Sequence, residues 1–403
     1  MSGSSFRRDR NVSVTQRKHP GYEPLGLRLG VFRAWPALNL VLEQNDNVLA
    51  TRDDERSDTI VHIEPSLEIR SDWPRHEAGA YARAAIHRYS DYSSQNTEDF
   101  AVGGFGRLDL RRSLRVSGEL DWSRLTEDRT TPGSPDDSVV PVQFDRTSAA
   151  LRAVKEFNRL RLSGRVGVRE FEYDQGRSLV GGPLDQSYRD RTVSSASVRA
   201  DYALSPATAL FLEVAGDERD YERSRPGGPG IIPIDRDSRG VEILAGADFE
   251  LSSLIRGEIA AGHLEHSFDD PRIPDVSGLG VRGDLEWFPT PLLTATLRVG
   301  RTVEDNAIIQ SGSHVESTVS LQADYELRRN IILSARGDWA EYDFRGIDRE
   351  DERSHFAVGA TYLLNRHAGL GLEYSRIDRS SSGLDAGREA EVNRLMLRLK
   401  LQY

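Results

Sequence analysis

The chain ends on "NRLMLRLKLQY", residues 393–403. Leu395, Leu397, Leu399, Leu401 and Tyr403 alternate with Arg394, Met396, Arg398, Lys400 and Gln402. A strict period of two belongs to a β-strand with one apolar and one wet face, because successive side chains leave opposite sides of the backbone. The pattern recurs upstream. In "NRLRLSGRVGVREF", Leu160, Leu162, Gly164, Val166 and Val168 alternate with Arg161, Ser163, Arg165, Gly167 and Arg169. In "ESTVSLQADYELRRN", Val319, Leu321, Ala323 and Tyr325 alternate with Ser320, Gln322, Asp324 and Glu326. Helical spacing fits none of these stretches.

Two kinds of connection join the strands, and they take turns. Tight polar turns fall at Asp72–Pro74, Arg111–Arg112, Asn158, Ser205–Pro206, Ser252–Ser253, Pro289–Pro291, Arg328–Arg329 and Asn365–Arg366. Between them lie long charged loops rich in Gly and Pro, such as "TEDRTTPGSPDDSVVPVQ", "YERSRPGGPGIIPIDRDS" and "DFRGIDREDERS". This asymmetry is that of an all-β, transmembrane antiparallel up-and-down barrel of about 18 strands, with short periplasmic turns and long extracellular loops. Residues 1–26 read as a polar, flexible periplasmic segment and residues 27–403 as the barrel.

Composition sets further bounds. The chain has 403 residues, 37% hydrophobic and 29% charged, with a net charge of −11 and no cysteine. Disulfides and thiolate metal sites are excluded, and the acidic balance argues against a nucleic-acid partner. No run of about 18 apolar residues occurs, so no transmembrane helix is expected. The opening "MSGSSFRRDRNVSVTQRKHPGYEPLG" is basic but lacks the apolar region of a signal peptide.

Alternation alone also suits a soluble sandwich, and the aromatic positions discriminate. Tyr202, Phe249, Trp287, Tyr325 and Tyr362 lie on the apolar face just before tight turns, where an interfacial girdle belongs. Trp122, Trp339 and Tyr374 lie on the same face towards the long loops, as a second girdle would. The opposite face carries Arg107, Asp109, Glu119, Arg161, Arg165, Arg169, Arg256, Glu258, Arg298, Asp324, Glu326, Arg336 and Asp338. So dense a set of charges cannot fill a dry core, so it is expected to line a wet lumen. Arg161, Arg165 and Arg169 form a ladder, and Asp109, Glu119, Asp324 and Glu326 are expected to face it and set a transverse field. The alternative is that wall charges merely pair with one another.

The N-terminal third carries Tyr22-Glu23-Pro24-Leu25-Gly26, Arg28-Leu29-Gly30, Pro36-Ala37-Leu38, Asn45-Asp46-Asn47-Val48, Ser57-Asp58 and Pro65-Ser66-Leu67 followed by Ser71-Asp72-Trp73. In these elements the chain resembles a proteobacterial outer-membrane family, the β-barrel porins of type 2, some of them described as capsular polysaccharide synthesis proteins. The resemblance implies an outer-membrane barrel with a role in exopolysaccharide or capsule export, partners among the export components, no catalytic residues and a cleaved signal peptide. The last aromatic, Tyr403, resembles the C-terminal signal by which outer-membrane proteins are recognised for assembly, with Leu395, Leu397, Leu399 and Leu401 as its strand.

Sites of other chemistry find little support. His263 and His266 stand three apart on a strand and face opposite sides, so a shared metal is not expected. The acidic stretches at Asp53–Glu55, Asp269–Asp270 and Asp348–Arg353 suit Ca²⁺ or Mg²⁺ bridging lipopolysaccharide only loosely, and solvated loops explain them better. "GGFGRL" (103–108) lies inside a strand pattern, not before a helix, and "NVS" at Asn11 is a glycosylation sequon by pattern only. Neither a G-x-S-x-G elbow nor H-E-x-x-H occurs, so no enzyme, cofactor or metal is expected. In "RPGGPGIIPIDRD", Ile231, Ile232 and Ile234 read as residues that fold into the mouth or meet a partner. No loop reads as long enough to constrict the lumen, so a wide pore, or one plugged by another protein, is expected. The reading is a passive outer-membrane conduit for polysaccharide, with lipid, lipopolysaccharide and the assembly machinery as partners. A diffusion porin for small solutes and a closed interaction barrel are the alternatives.

Overall fold

A computed structural model describes residues 12–135, 138–178, 181–224, 233–252, 254–308 and 311–403. Asn11, Ser253, Ile231 and Ile232 lie outside them. One sheet contains nineteen strands, and eighteen of these are long. The first six are β1 (Phe32–Asn45), β2 (Asp58–Ser71), β3 (Glu77–Tyr89), β4 (Thr97–Arg111), β5 (Leu114–Thr126) and β6 (Gln143–Glu156). Then come β7 (Leu160–Tyr173), β8 (Arg191–Ser205), β9 (Thr208–Tyr221), β10 (Ser238–Leu251), β11 (Ile255–Phe268) and β12 (Val276–Thr290). The last six are β13 (Leu293–Glu304), β14 (His314–Arg328), β15 (Ile331–Phe344), β16 (Glu350–Leu363), β17 (Ala368–Ser382) and β18 (Ala390–Gln402). The nineteenth, Leu27–Leu29, folds back on the start of β1.

Every long strand pairs antiparallel with its chain neighbours. The ring closes where β18 meets β1, with Leu401 opposite Leu38, Leu399 opposite Leu40 and Leu397 opposite Leu42. The leucine-rich C-terminal stretch is therefore the closing strand. Closure leaves no sheet edge, so each strand's backbone groups find partners without water. The eight predicted tight turns all fall at one end of the barrel and the long loops at the other.

Alternation puts the two faces of each strand in different solvents. Leu120, Leu151, Val166, Val198, Leu212, Ile259, Leu321, Phe356 and Leu397 are exposed on the outside. A continuous apolar belt of this kind would be far larger than a water-soluble monomer tolerates. It suits the hydrocarbon of a bilayer, and strands of 12–15 residues exceed the roughly 9–11 needed to cross one.

Each end of the barrel carries a further layer. At the tight-turn end, residues 12–26 run along the wall. Val14, fully buried, donates its amide to Thr294 Oγ1 at 3.0 Å. Arg17 pairs with Glu326 at 2.6 Å, and Gln402 Nε2 donates to the Tyr22 carbonyl at 3.3 Å. At the other end the loops turn inward, and this shapes the candidate site.

Candidate functional site

The wall is built by register. The exposed Leu160, Leu162, Val166 and Val168 place their alternates Arg161, Arg165 and Arg169 on the inside of β7. Arg152 of β6 stands directly beside Arg165, and Arg169 is flanked by Ser148 and Val193. The same logic carries Arg107 and Asp109 (β4), Glu119 (β5), Arg256 and Glu258 (β11), Arg298 (β13), Asp324 and Glu326 (β14), and Arg336 and Asp338 (β15) to the inner face. Trp122, Tyr202, Trp287, Tyr325, Trp339, Tyr362 and Tyr374 are exposed on the outer face, with Phe249 half-buried beside them. Leu395, Leu397, Leu399, Leu401 and Tyr403 line the outside of β18, whose end is pinned by the Tyr403 amide donating to the Pro36 carbonyl at 3.1 Å.

The inner charges largely pair with near neighbours. Glu119 does not stand across the lumen from the ladder; it accepts from Arg165 on the same side of the wall. Asp109 is shared by Arg115 at 3.1 Å and Arg107 at 3.5 Å. Arg256 holds Glu286 at 2.5 Å, Arg298 lies 3.4 Å from Asp284, and Arg336 holds Asp338 at 2.6 Å. Asp324 accepts from Gln322 at 2.9 Å and Ser334 at 2.6 Å.

The densest inner cluster was missed by sequence reasoning apart from Glu258. Arg199 contacts Asp201 at 2.7 Å, Glu258 at 2.8 Å and Glu213 at 3.6 Å, and lies 3.6 Å over the Phe211 ring. Arg282 closes the group on Glu213 at 2.6 Å. These residues come from β8, β9, β11 and β12, and only the register brings them together. His263 is exposed and His266 buried, on opposite faces of β11.

The mouth departs from the expectation of an uncrossed lumen. The 127–142 loop, between β5 and β6, reaches β16 and β17. Arg353 Nη2 of β16 donates to Thr130 Oγ1 at 3.1 Å, and Arg379 Nη1 of β17 to the Arg129 carbonyl at 3.5 Å. Strands β5 and β16 are not neighbours in the ring, so a loop joining them from the inside crosses the lumen. The 305–313 loop meets it: the Ala307 amide donates to the Gly133 carbonyl at 2.9 Å. Tyr188, from the β7–β8 loop, donates its hydroxyl to the Ala307 carbonyl at 2.8 Å. Arg236, from the β9–β10 loop, holds Asp305 at 2.6 Å and donates to the Tyr188 carbonyl at 2.6 Å. None of these loops closes the lumen by itself, and four of them interlock. That is why loop length in the sequence was a poor guide to constriction.

Charge fixes the crossing loop in place. Burial pushes the Asp128 carboxyl up, but the nearby Arg394 guanidinium and the Thr130 amide and hydroxyl donors outweigh it, leaving the group below its usual range. Burial, with Arg388 nearby, pushes Arg129 down to about 10. Its guanidinium is still fully used, on Gln95 Oε1 at 3.0 Å and on the carbonyls of Ser138 and Val139 at 3.0 and 2.9 Å.

A closed eighteen-strand barrel with an apolar belt and a charged, loop-crossed lumen is an outer-membrane β-barrel of porin type. Residues 19–403 match the family model described as Putative beta-barrel porin 2, and the chain belongs to that family. Among solved structures, the chain is similar to Pseudomonas aeruginosa OpdO, with 14% identity over 92% of this chain and 97% of that one and a TM-score of 0.47. It is similar to the P. aeruginosa ferric enterobactin receptor PfeA in complex with enterobactin, at 8% identity, covering 92% and 81% of the two chains, TM-score 0.50. OccK2 (OpdF) of P. aeruginosa in complex with glucuronate gives 11% identity, 93% and 99% coverage and a TM-score of 0.49. At such identities the likeness is one of fold. Comparison with curated proteins found no match.

Proposed function

We propose that the chain is a passive outer-membrane channel for small polar solutes, narrowed at its extracellular mouth by its own loops. The observation that carries this reading is the Thr130–Arg353 contact, which puts a loop across the lumen. A polysaccharide conduit, which the family resemblance implied, calls for a lumen wide enough for a sugar chain, and the crossing loop speaks for smaller cargo. Membership of a porin family supports the same choice. Selectivity falls to the wall: Arg161, Arg165 and Arg169, together with Arg152 of β6, offer small anions a run of cationic sites, as charged walls do in other pores. Residues 1–26 serve as a periplasmic segment and residues 27–403 as the barrel, with lipopolysaccharide around the belt and the assembly machinery reading the closing strand.

Single-channel recording of the refolded chain in a planar bilayer, with neutral polymers of graded size, tests the proposal. Small polymers should enter and lower the conductance, and larger ones should be excluded. Entry of polymers as wide as a polysaccharide chain would return the case to export.

A further inference from the structure

We propose that the inner wall beside the crossing loop binds one divalent transition-metal ion of the zinc class, held by His62, His87 and Glu64. His62 of β2 and His87 of β3 are direct cross-strand partners. The exposed Val61 and Ile63 place His62 on the inner face, and Glu64 follows it two residues on, on the same side. The two imidazole rings lie 4.4 Å apart at 52°. One donor atom from each of the three side chains lies within 4.8 Å of the others, so small rotations bring all three onto a single ion. Two imidazoles and a carboxylate suit zinc and its neighbours in the transition series, whereas calcium and magnesium favour all-oxygen sites.

The surroundings are those of a metal site in two further respects. The first is orientation of the ligands. His87 Nδ1 lies 3.1 Å from Thr97 Oγ1, which leaves Nε2 for an ion. Asn39 Nδ2 donates to Glu64 Oε2 at 3.2 Å. Partners of this kind fix the rings and carboxylates of metal sites. The second is a fixed negative charge with an orphaned nitrogen beside it. Glu43 Oε2 lies 3.1 Å from His62 Nε2, which is buried without an aligned hydrogen-bond partner. Glu43 is held by Asn45 Nδ2 at 2.9 Å. Both histidines open onto a cavity of about 190 Å³, which leaves room for a water or a small anion in the remaining coordination position. A purely structural His62–His87 stack explains the ring contact but not why a donor atom of Glu64 converges with both rings within 4.8 Å.

The test uses the full, refolded chain in detergent, stripped with EDTA and titrated with Zn²⁺ by calorimetry, with Mg²⁺ as the contrasting probe. We expect one Zn²⁺ per chain, no comparable Mg²⁺ binding, and visible absorption bands of a low-coordinate site when Co²⁺ replaces zinc. His62→Ala and His87→Ala should each weaken Zn²⁺ binding about tenfold or more, and Thr97→Val about 10–100-fold as an orienting partner. His263→Ala, on the outer face, should leave it unchanged. Heat-modifiable gel mobility reports folding of each variant, and Glu64→Gln replaces any that fails. Absence of Zn²⁺ binding by the parent chain, or binding unchanged in folded His62 and His87 variants, overturns the proposal.

Discussion

Thr130 and Arg353 are 223 residues apart in sequence, and their side chains meet at 3.1 Å inside the barrel mouth. This hydrogen bond, with the longer one from Arg379 to the Arg129 carbonyl, holds the crossing loop to the far part of the wall. A bond from a charged donor contributes about 1.5 kcal/mol at the low end of its range, or roughly tenfold in an equilibrium. Thr130→Val should raise the open-to-closed ratio of single channels by about that factor, with the barrel still folded. An unchanged open probability would show that the loop is held by its other contacts or does not gate.

Acid should release the same loop. The Asp128 carboxyl sits below its ordinary value of 3.8 in the folded barrel because Arg394 and Thr130 outweigh its burial. A carboxyl with a depressed folded pKa stabilises above its unfolded value, and that stabilisation is lost as the pH falls through the folded value. Arg129, pushed down to about 10, stays charged throughout the neutral range. Closed-state occupancy should therefore be flat across the neutral range and fall only in acid, below the ordinary carboxyl value of 3.8. Asp128→Asn should look acid-opened at pH 7, and a neutral-pH transition in the parent chain would point to a different latch.

The two faces of a strand should answer oppositely to the same substitution. Leu321 and Val166 are 54% and 53% exposed on the apolar belt, and their neighbours Gln322 and Gly167 face the lumen. Aspartate at Leu321 or Val166 enters hydrocarbon and should cost about 2 kcal/mol, read as reduced yield of folded barrel or a lower urea midpoint. Aspartate at Gln322 stays in the wet lumen and should cost less than at Leu321, its loss being the hydrogen bond to Asp324 and repulsion from that carboxylate. Gly167 has room for a side chain, the nearest atoms to an added Cβ being 3.4 Å away. Equal losses at all four positions would contradict the assignment of faces.

Period-two alternation made the barrel legible, because a strand between lipid and water must sort its side chains residue by residue. The closing strand and the eight turns followed from it. What stayed hidden depends on register and on loop contacts. His62 and His87 meet only through strand pairing, and Arg199 and Arg282, on strands that are not neighbours, converge only on Glu258 and Glu213. The inner face also carries apolar residues that a wet lumen does not call for. Ile377 and Val392 are buried with Ala50 and Ala390, where an inward-folding loop gives them a dry partner. Such residues mark the ends of strands that loops cover, and alternation alone cannot distinguish them from lapses in the pattern.

The arginine ladder yields the sharpest prediction about transport. Arg161, Arg165 and Arg169 share the inner face of β7 with Arg152 beside them, and among these Arg165 is engaged by Glu119. Exchange of all three ladder residues for glutamine removes three positive charges from one wall and leaves shorter, neutral polar side chains. In a salt gradient the reversal potential should then move towards cation preference. The shift should shrink at high ionic strength, because the Debye length falls to about 3 Å at 1 M salt. Glu119→Gln should move it the other way, since it frees Arg165 without adding a charge to the ladder. The opposite signs separate a field set by the wall from a general loosening of the barrel, which would change conductance in both variants and selectivity in neither. A reversal potential that ignores the triple exchange would mean that these arginines only pair with their neighbours, and selectivity would then be sought at the loop-crossed mouth, where Arg236 and Asp305 meet.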